Sequence, residues 1–200
     1  MYDEISAQYD HFVNWKNRLA FELPFLEGML GQVKTGGAPL RVLDAACGTA
    51  MHAVELARRG YLAAAGDVSA GMVAQARQNA ADAGVNVQVE QAGFGGFSRV
   101  FGAAAFDAVL CLGNSLPHLL TLADLEAALV DFAVCLKPGG LLLIQNRNFD
   151  SVLKKQERFM DPQSYRLEQQ EEIFVRFYDF RPDGLMNFHM LTLERTGETW

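Results

Sequence analysis

One stretch constrains this chain more than any other: Leu40-Arg41-Val42-Leu43-Asp44-Ala45-Ala46-Cys47-Gly48-Thr49-Ala50. Leu40 to Ala45 is a short apolar run with a carboxylate at its end. Small residues follow at once, and then a helical pattern begins. That order reads as a buried strand, a tight turn and a helix start. The turn has no room for large side chains. Its backbone N–H groups are read as free to meet a ligand, and the helix behind it adds partial positive charge. The expectation is a nucleotide-like ligand at the carboxyl end of the first strand of an open α/β sheet.

Such a sheet needs a large core, and half of the 200 residues are apolar. The length fits one large domain, or one domain with a small appendage. The net charge of −7 is spread along the chain. This argues against nucleic acid bound through a strongly basic face. Cys47, Cys111 and Cys135 lie far apart in apolar segments. They form no zinc pattern, so no metal site is expected. An odd count of buried thiols suits a reducing, cytoplasmic setting. The apolar runs at 40–47 and 106–113 are too short to span a membrane, and no signal-peptide pattern opens the chain.

In chain order, Ile5, Tyr9, Phe12, Val13 and Trp15 lead into Leu19, Phe21, Leu23, Phe25, Leu26, Met29 and Leu30 at mostly helical spacing. A short helix and a longer one over about 12–33 are expected, with Pro24 kinking or interrupting the second. Thr35 to Pro39 ends this region. Met51–Arg59 reads as a helix capped by Gly60, and Leu62–Ala65 as the second strand, closing with Gly66-Asp67. Asp67 falls 23 positions after Asp44. That is near the roughly 20-residue offset at which a carboxylate after the second strand meets a ribose hydroxyl. Ser69 caps a helix from Ala70 to about Ala83, ended by Gly84.

Val85–Glu90 alternates as a third strand. Gly95–Val100 is a linker or weak helix, and Ala105–Gly113 the fourth strand. Leu122–Leu136 is an amphipathic helix ended by Lys137-Pro138-Gly139-Gly140. Leu141–Gln145 is the fifth strand, all apolar as a central strand should be. The alternation predicts a doubly wound parallel sheet. After residue 150 the style changes. Ser151–Arg158 is a candidate helix, and Glu168–Glu172 an acidic loop or strand entry. Glu171–Phe180 and Leu185–Arg195 form a hairpin around Arg181-Pro182-Asp183-Gly184. There Ile173, Val175 and Phe177 are expected to pair with Phe188, Met190 and Thr192. The ribbon is expected over the carboxyl edge of the main sheet, as a substrate cap.

Val42–Ala50, Asp67, the loop after the fourth strand and Lys137–Gly140 together resemble the class I S-adenosylmethionine-dependent methyltransferases. Cys111-Leu112-Gly113-Asn114-Ser115-Leu116-Pro117-His118 and Asn146-Arg147-Asn148-Phe149-Asp150 resemble segments of the glycine and sarcosine N-methyltransferases. The resemblance covers roughly residues 9–150 and is looser through the hairpin.

The whole reads as a single Rossmann-like domain: an N-terminal helical segment (1–38), either a lid over the cofactor or packing on the domain edge, a cofactor-binding α/β core (39–150) and an antiparallel substrate cap (151–200). The resemblance implies S-adenosylmethionine as methyl donor. Asp44, Ala46 and Gly48 would wrap its methionine half, and Asp67 its ribose. Val68, Met72, Ala92, Gly93 and Phe94 would meet the base, and the Leu112 carbonyl would lie near the sulfonium. Tyr9 and Arg18 match a tyrosine and an arginine that reach the cofactor. Asn114 and Arg147 match positions that hold an amino-acid substrate. The implied reaction is an in-line methyl transfer to a small acceptor, at the nitrogen of an amino acid or related amine.

Two departures stand out. Ala50 replaces the last glycine of the turn, whereas Ala46 at the first matches the family's own variant. The family's sheet continues with a helix, a sixth strand and an antiparallel seventh, so the last helix and strands are expected to be missing from this sequence. Plain roles compete with several of these assignments. Asp67 can cap a helix, Asn114 can build a turn, and Arg147 can pair with Asp150. His118 and the cysteines read as structural. Two other functions stay open, a nicotinamide-dependent oxidoreductase and a non-catalytic cofactor-binding protein. The first lacks a GxGxxG triplet. A homo-oligomer is compatible with the family, whose N-terminal arm can swap between subunits.

Overall fold

The computed structural model describes residues 6, 8–33, 36–167 and 170–200. Ile5, Thr35 and Glu168, named above, lie outside them. Two compact units emerge: Trp15–Arg147 belongs to the larger, and Gln8–Asn14 with Asn148–Trp200 forms the smaller.

The larger unit runs α2 (Trp15–Leu30), β1 (Arg41–Ala45), α3 (Met51–Arg58), β2 (Leu62–Asp67), α4 (Ala70–Asp82), β3 (Gln88–Gln91), α5 (Phe97–Phe101), β4 (Phe106–Cys111), α6 (Leu122–Cys135) and β5 (Leu136–Ile144). α1 (Tyr9–Phe12) precedes it in sequence and belongs to the smaller unit. The five strands are all parallel, in the order β3-β2-β1-β4-β5. The order reverses between β1 and β4. Ligands of open α/β sheets bind at such a switch point, beyond the carboxyl ends of the strands.

Both faces of the sheet are covered, and the two-residue period of β1 and β4 shows how. Val42, Ala108 and Leu110 pack with Leu23, Leu26 and Leu30 of α2. Leu43, Val109 and Cys111 pack with Phe97, Phe101 and Phe132 of α5 and α6. Fully burying each of these large side chains contributes about 1.5–3 kcal/mol. β2 is built of small residues, and Ala63 and Ala65 meet Ala53, Val73 and Ala76 from α3 and α4.

The helix ends follow local chemistry. Gly60 (φ +90°) and Gly84 (φ +66°) close α3 and α4. In each case the next residue's N–H reaches back to the last turn, Tyr61 to the Leu56 carbonyl and Val85 to that of Ala80. Ser69 accepts the Met72 N–H at 3.1 Å and caps α4 as expected. Pro24 does not interrupt α2, which runs unbroken from Trp15 to Leu30.

Three expectations need correction. The third strand starts at Gln88 rather than Val85, because Val85 is spent in the cap of α4. Lys137–Gly140 does not separate helix from strand. β5 begins at Leu136, and its register jumps from Phe106↔Leu136 to Ala108↔Leu141. The four residues bulge out, with Gly139 at φ +79° and Gly140 against the Asp107 carbonyl. Asp107 pins that end of the sheet, accepting the Arg41 N–H and the Lys137 ammonium, each at 2.8 Å. Finally, β5 is an edge strand among the described residues, not a central one. An apolar run reports covered faces, not paired edges.

In the smaller unit, α7 (Phe149–Lys155) is followed by the antiparallel sheet β6 (Gln163–Leu167), β7 (Gln170–Phe180) and β8 (Met186–Glu194). The hairpin forms as expected, but its register is shifted by one. Ile173, Val175 and Phe177 face Leu193, Leu191 and His189, whereas Phe174, Arg176 and Tyr178 face Thr192, Met190 and Phe188. The turn sets this. Arg181 N–H bonds the Leu185 carbonyl and Leu185 N–H bonds Asp183 Oδ1 at 3.1 Å, so five residues lie between Phe180 and Met186. Phe174 and Tyr178 are the buried face. α1 joins this unit through Phe12 against Phe174 and through His11, stacked on Tyr165 and 2.9 Å from Glu172.

Candidate active site

The turn after β1 is tighter than its composition suggests. Ala46 (φ 57°), Gly48 (φ 56°) and Ala50 (φ 59°) all take the left-handed conformation. For an alanine this costs on the order of 1–2 kcal/mol. Ala50, where a glycine is usual in the family, therefore keeps a glycine's backbone and buries its methyl completely.

The N–H groups of the turn are not free, contrary to the expectation above. Cys47 N–H bonds the Gly66 carbonyl, Gly48 N–H bonds Asp67 Oδ2 at 2.9 Å, and Ala50 N–H bonds the Cys47 carbonyl. Buried amides need partners, and the end of β2 supplies them. Asp67 is fixed by the same contacts. Its Oδ1 accepts the Ser69 N–H at 2.9 Å, so the carboxylate is held between the two strand ends.

Asp44 is buried, and its Oδ2 has no partner. Burial raises its pKa to about 6, against the pull of His52, Arg18 and a bond from the Ala53 backbone. Val68 is 68% exposed between the buried Asp67 and Ser69. Gly93 lies against it, since a Cβ there would sit 3.3 Å from Val68 Cγ2. Met72 and Ala92 are buried, and the ring of Phe94 packs edge-on against Phe97 and Phe132.

Across the switch point, Leu112 is buried and its carbonyl accepts the Ser115 hydroxyl at 3.2 Å. Asn114 is a left-handed turn residue (φ 71°) whose Oδ1 accepts the Arg147 backbone N–H. The residues expected after β4 and β5 therefore meet. Arg147 itself is exposed. Arg18, on α2, has Nη2 3.3 Å from the position of a Cβ on Gly113. Tyr9 belongs to the smaller unit, where its ring meets Phe12 edge-on. Cys47, Cys111 and Cys135 are free, buried thiols. Burial pushes Cys111 to about 12 and Cys135 to about 11, which makes them packing groups. His118 lies exposed in a 3-10 turn over Leu116–His118.

Sequence reasoning missed Glu22, which holds Arg18, and His52 and Gln145, which meet Glu22. Glu22 Oε2 lies 2.6 Å from His52 Nε2, and Glu22 Oε1 accepts Gln145 Nε2 at 2.7 Å. The spacing of Arg18 and Glu22 was visible, but it reads as an ordinary helix-surface pair.

A buried carboxylate at the end of β1, a held one at the end of β2 and a loop beyond β4, all at the switch point, define a Rossmann-like site for a nucleoside-bearing ligand. Comparison with known proteins narrows this class. A family model described as "Methyltransferase domain" matches residues 42–140. The glycine/sarcosine N-methyltransferase of Aphanothece halophytica is 30% identical over 198 residues, covering 94% of this chain and 72% of the relative. The enzyme of that name from Halorhodospira halochloris is 34% identical over 151 residues, covering 76% of this chain and 54% of the relative. An amino pentose methyltransferase from Micromonospora echinaspora, solved with the methyl donor bound, shares the fold. Its TM-score is 0.58 at 22% identity, over 96% of this chain and 81% of that one. The chain belongs to the S-adenosylmethionine-dependent methyltransferases. It spans about half the length of the relatives from Halorhodospira halochloris and Parasynechococcus marenigrum.

The residues present fit the family's donor. The unpartnered Asp44 oxygen suits a cationic ligand, and the held Asp67 carboxylate suits a diol. The exposed Val68 beside a bare Gly93 suits a flat base. Among the described residues, no group of three or more His, Cys, Asp or Glu is placed to hold a metal, and no helix is long and apolar enough to cross a membrane.

Proposed function

We propose that this chain carries the donor and acceptor sites of a methyltransferase acting on the nitrogen of a small amino acid or related amine. The observation that carries the reading is the hydrogen bond from the Arg147 N–H to Asn114 Oδ1. It joins the loops after β4 and β5, and β4 lies next to β1, whose end holds Asp44. The donor supplies a methyl already activated on a sulfonium. What remains for the protein is to position the acceptor and exclude water.

Arg147 supplies a two-pronged cation for an acceptor carboxylate. Asn114 fixes the backbone of that arginine and adds an amide to orient the amine. Asp44 and the turn from Ala46 to Gly48 take the amino-acid end of the donor, with Arg18 closing on it. Asp67 takes the ribose. Val68, Met72, Ala92, Gly93 and Phe94 take the base, and the Leu112 carbonyl faces the reacting end. The names of the relatives from Aphanothece halophytica and Halorhodospira halochloris support glycine and sarcosine as the first acceptors to try.

Methyl transfer to glycine, to sarcosine and to an amine without a carboxylate tests the reading. Arg147→Ala is expected to raise KM for a carboxylate acceptor about 30- to 100-fold, as losing a charge-assisted pair of about 2–3 kcal/mol should. S-adenosylhomocysteine binding is expected to change less than about twofold, because the lost contact is to the acceptor. Undiminished turnover of the carboxylate acceptor by Arg147→Ala contradicts the clamp.

A further inference from the structure

Glu22 joins four separate stretches of the larger unit. Both of its oxygens accept the Nε–H of Arg18, one turn earlier on α2, at 3.1 and 3.2 Å. Oε2 also meets Nε2 of His52, the second residue of the helix that follows the cofactor turn. Oε1 accepts Gln145 Nε2, and the Oε1 of that glutamine accepts the Gly113 N–H at 3.2 Å. The side chain of Glu22 is only 13% exposed. Burial works against its charge. The hydrogen bonds from His52 and Gln145 and the charge of Arg18 win, and its pKa falls to about 2.

The geometry of Arg18 gives this hub a purpose. Glu22 engages only Nε, and the guanidinium lies over the Trp15 ring at 5.1 Å. The other end of the guanidinium, with Nη1 and Nη2, faces Gly113. Gly113 has φ +76°, and a Cβ there would lie 3.3 Å from Nη2, so any other residue at that position would crowd the arginine. An arginine held by Nε presents its two terminal amino groups as a parallel fork, the arrangement that binds a carboxylate through two bonds.

We infer that Glu22 is a positioning residue for the methyl donor: it aims the terminal fork of Arg18, at the end of β4, at the carboxylate of the donor's amino-acid part. Gln145 ties the Glu22 carboxylate to the Gly113 loop, so arginine and loop are set by one group. The inference rests on the methyl-donor reading above.

Two ligands separate positioning from mere support of the fold. S-adenosylhomocysteine carries the amino-acid carboxylate, and 5′-methylthioadenosine has the same nucleoside and sulfur without it. Glu22→Ala is expected to weaken S-adenosylhomocysteine about tenfold or more, the scale of a lost charge-assisted bond. It is expected to leave 5′-methylthioadenosine within about twofold. Arg18→Ala is expected to match it, and the double variant to lose little more, since the two residues act as a unit. Glu22→Gln, which keeps the shape, carries the test if the alanine variant does not fold. Its loss is expected to be confined to S-adenosylhomocysteine as well. Equal weakening of both ligands, or an unchanged affinity for S-adenosylhomocysteine, overturns the role of Glu22. A folded parent protein that binds neither ligand overturns the donor reading itself, and this inference with it.

Discussion

Asp44 is the residue whose state costs this fold most visibly. Its Oδ2 is buried without a donor, and burial lifts its pKa from 3.8 to about 6. The folded value lies above the unfolded one. The stability that Asp44 contributes is therefore complete below about 3.8 and is lost as pH rises through about 6. At one pKa unit per 1.36 kcal/mol, the loss is roughly 2–3 kcal/mol. Strain in the same turn, with two alanines in the left-handed region, adds to it. Such penalties gather where a ligand is to be met. Urea unfolding of the ligand-free protein at pH 4 and pH 7.5 checks this. Asp44→Asn is expected to gain on the parent by roughly 2–3 kcal/mol between the two pH values. Parallel pH profiles of parent and variant contradict it.

At the scale of elements, β2 shows why small residues are needed inside a sheet. A Cβ on Gly66 would lie 2.9 Å from the Phe97 ring and 3.1 Å from that of Phe101. Those rings pack against Phe132 and Phe106 and have little room to give. Gly66→Ala is expected to destabilise the fold by about 1–3 kcal/mol, as overpacking does, and thermal unfolding measures it. An unchanged midpoint would show that α5 yields freely. The elements legible from sequence were those set by local chemistry, such as the caps at Gly60, Ser69 and Gly84. Those misread depend on what lies opposite in space. Val85 alternates like a strand residue but closes a helix. The apolar run of β5 does not say whether it has one neighbour or two. The hairpin register depended on one residue of turn length, which shifts every pair.

At the scale of the whole molecule, the nucleoside half of the site was the more legible. Asp44 and Asp67 belong to one β-α-β unit, and a fixed offset places both at one sheet edge. The half built by Glu22, His52 and Gln145 was not legible, because Glu22 and Gln145 are 123 positions apart and only the sheet order brings them together. The central claim is a methyl-donor site at the switch point, with Asp67 as its ribose anchor. Calorimetric titration with S-adenosylhomocysteine, on the parent and on Asp67→Ala, tests it most directly. Asp67→Asn serves as a control that keeps an oxygen for the backbone amides. The expected result is saturable binding to the parent, weakened by about 2 kcal/mol or more in both variants, as loss of a charge-assisted bond to the ligand requires. A folded parent that does not bind, or binding indifferent to Asp67, would contradict it.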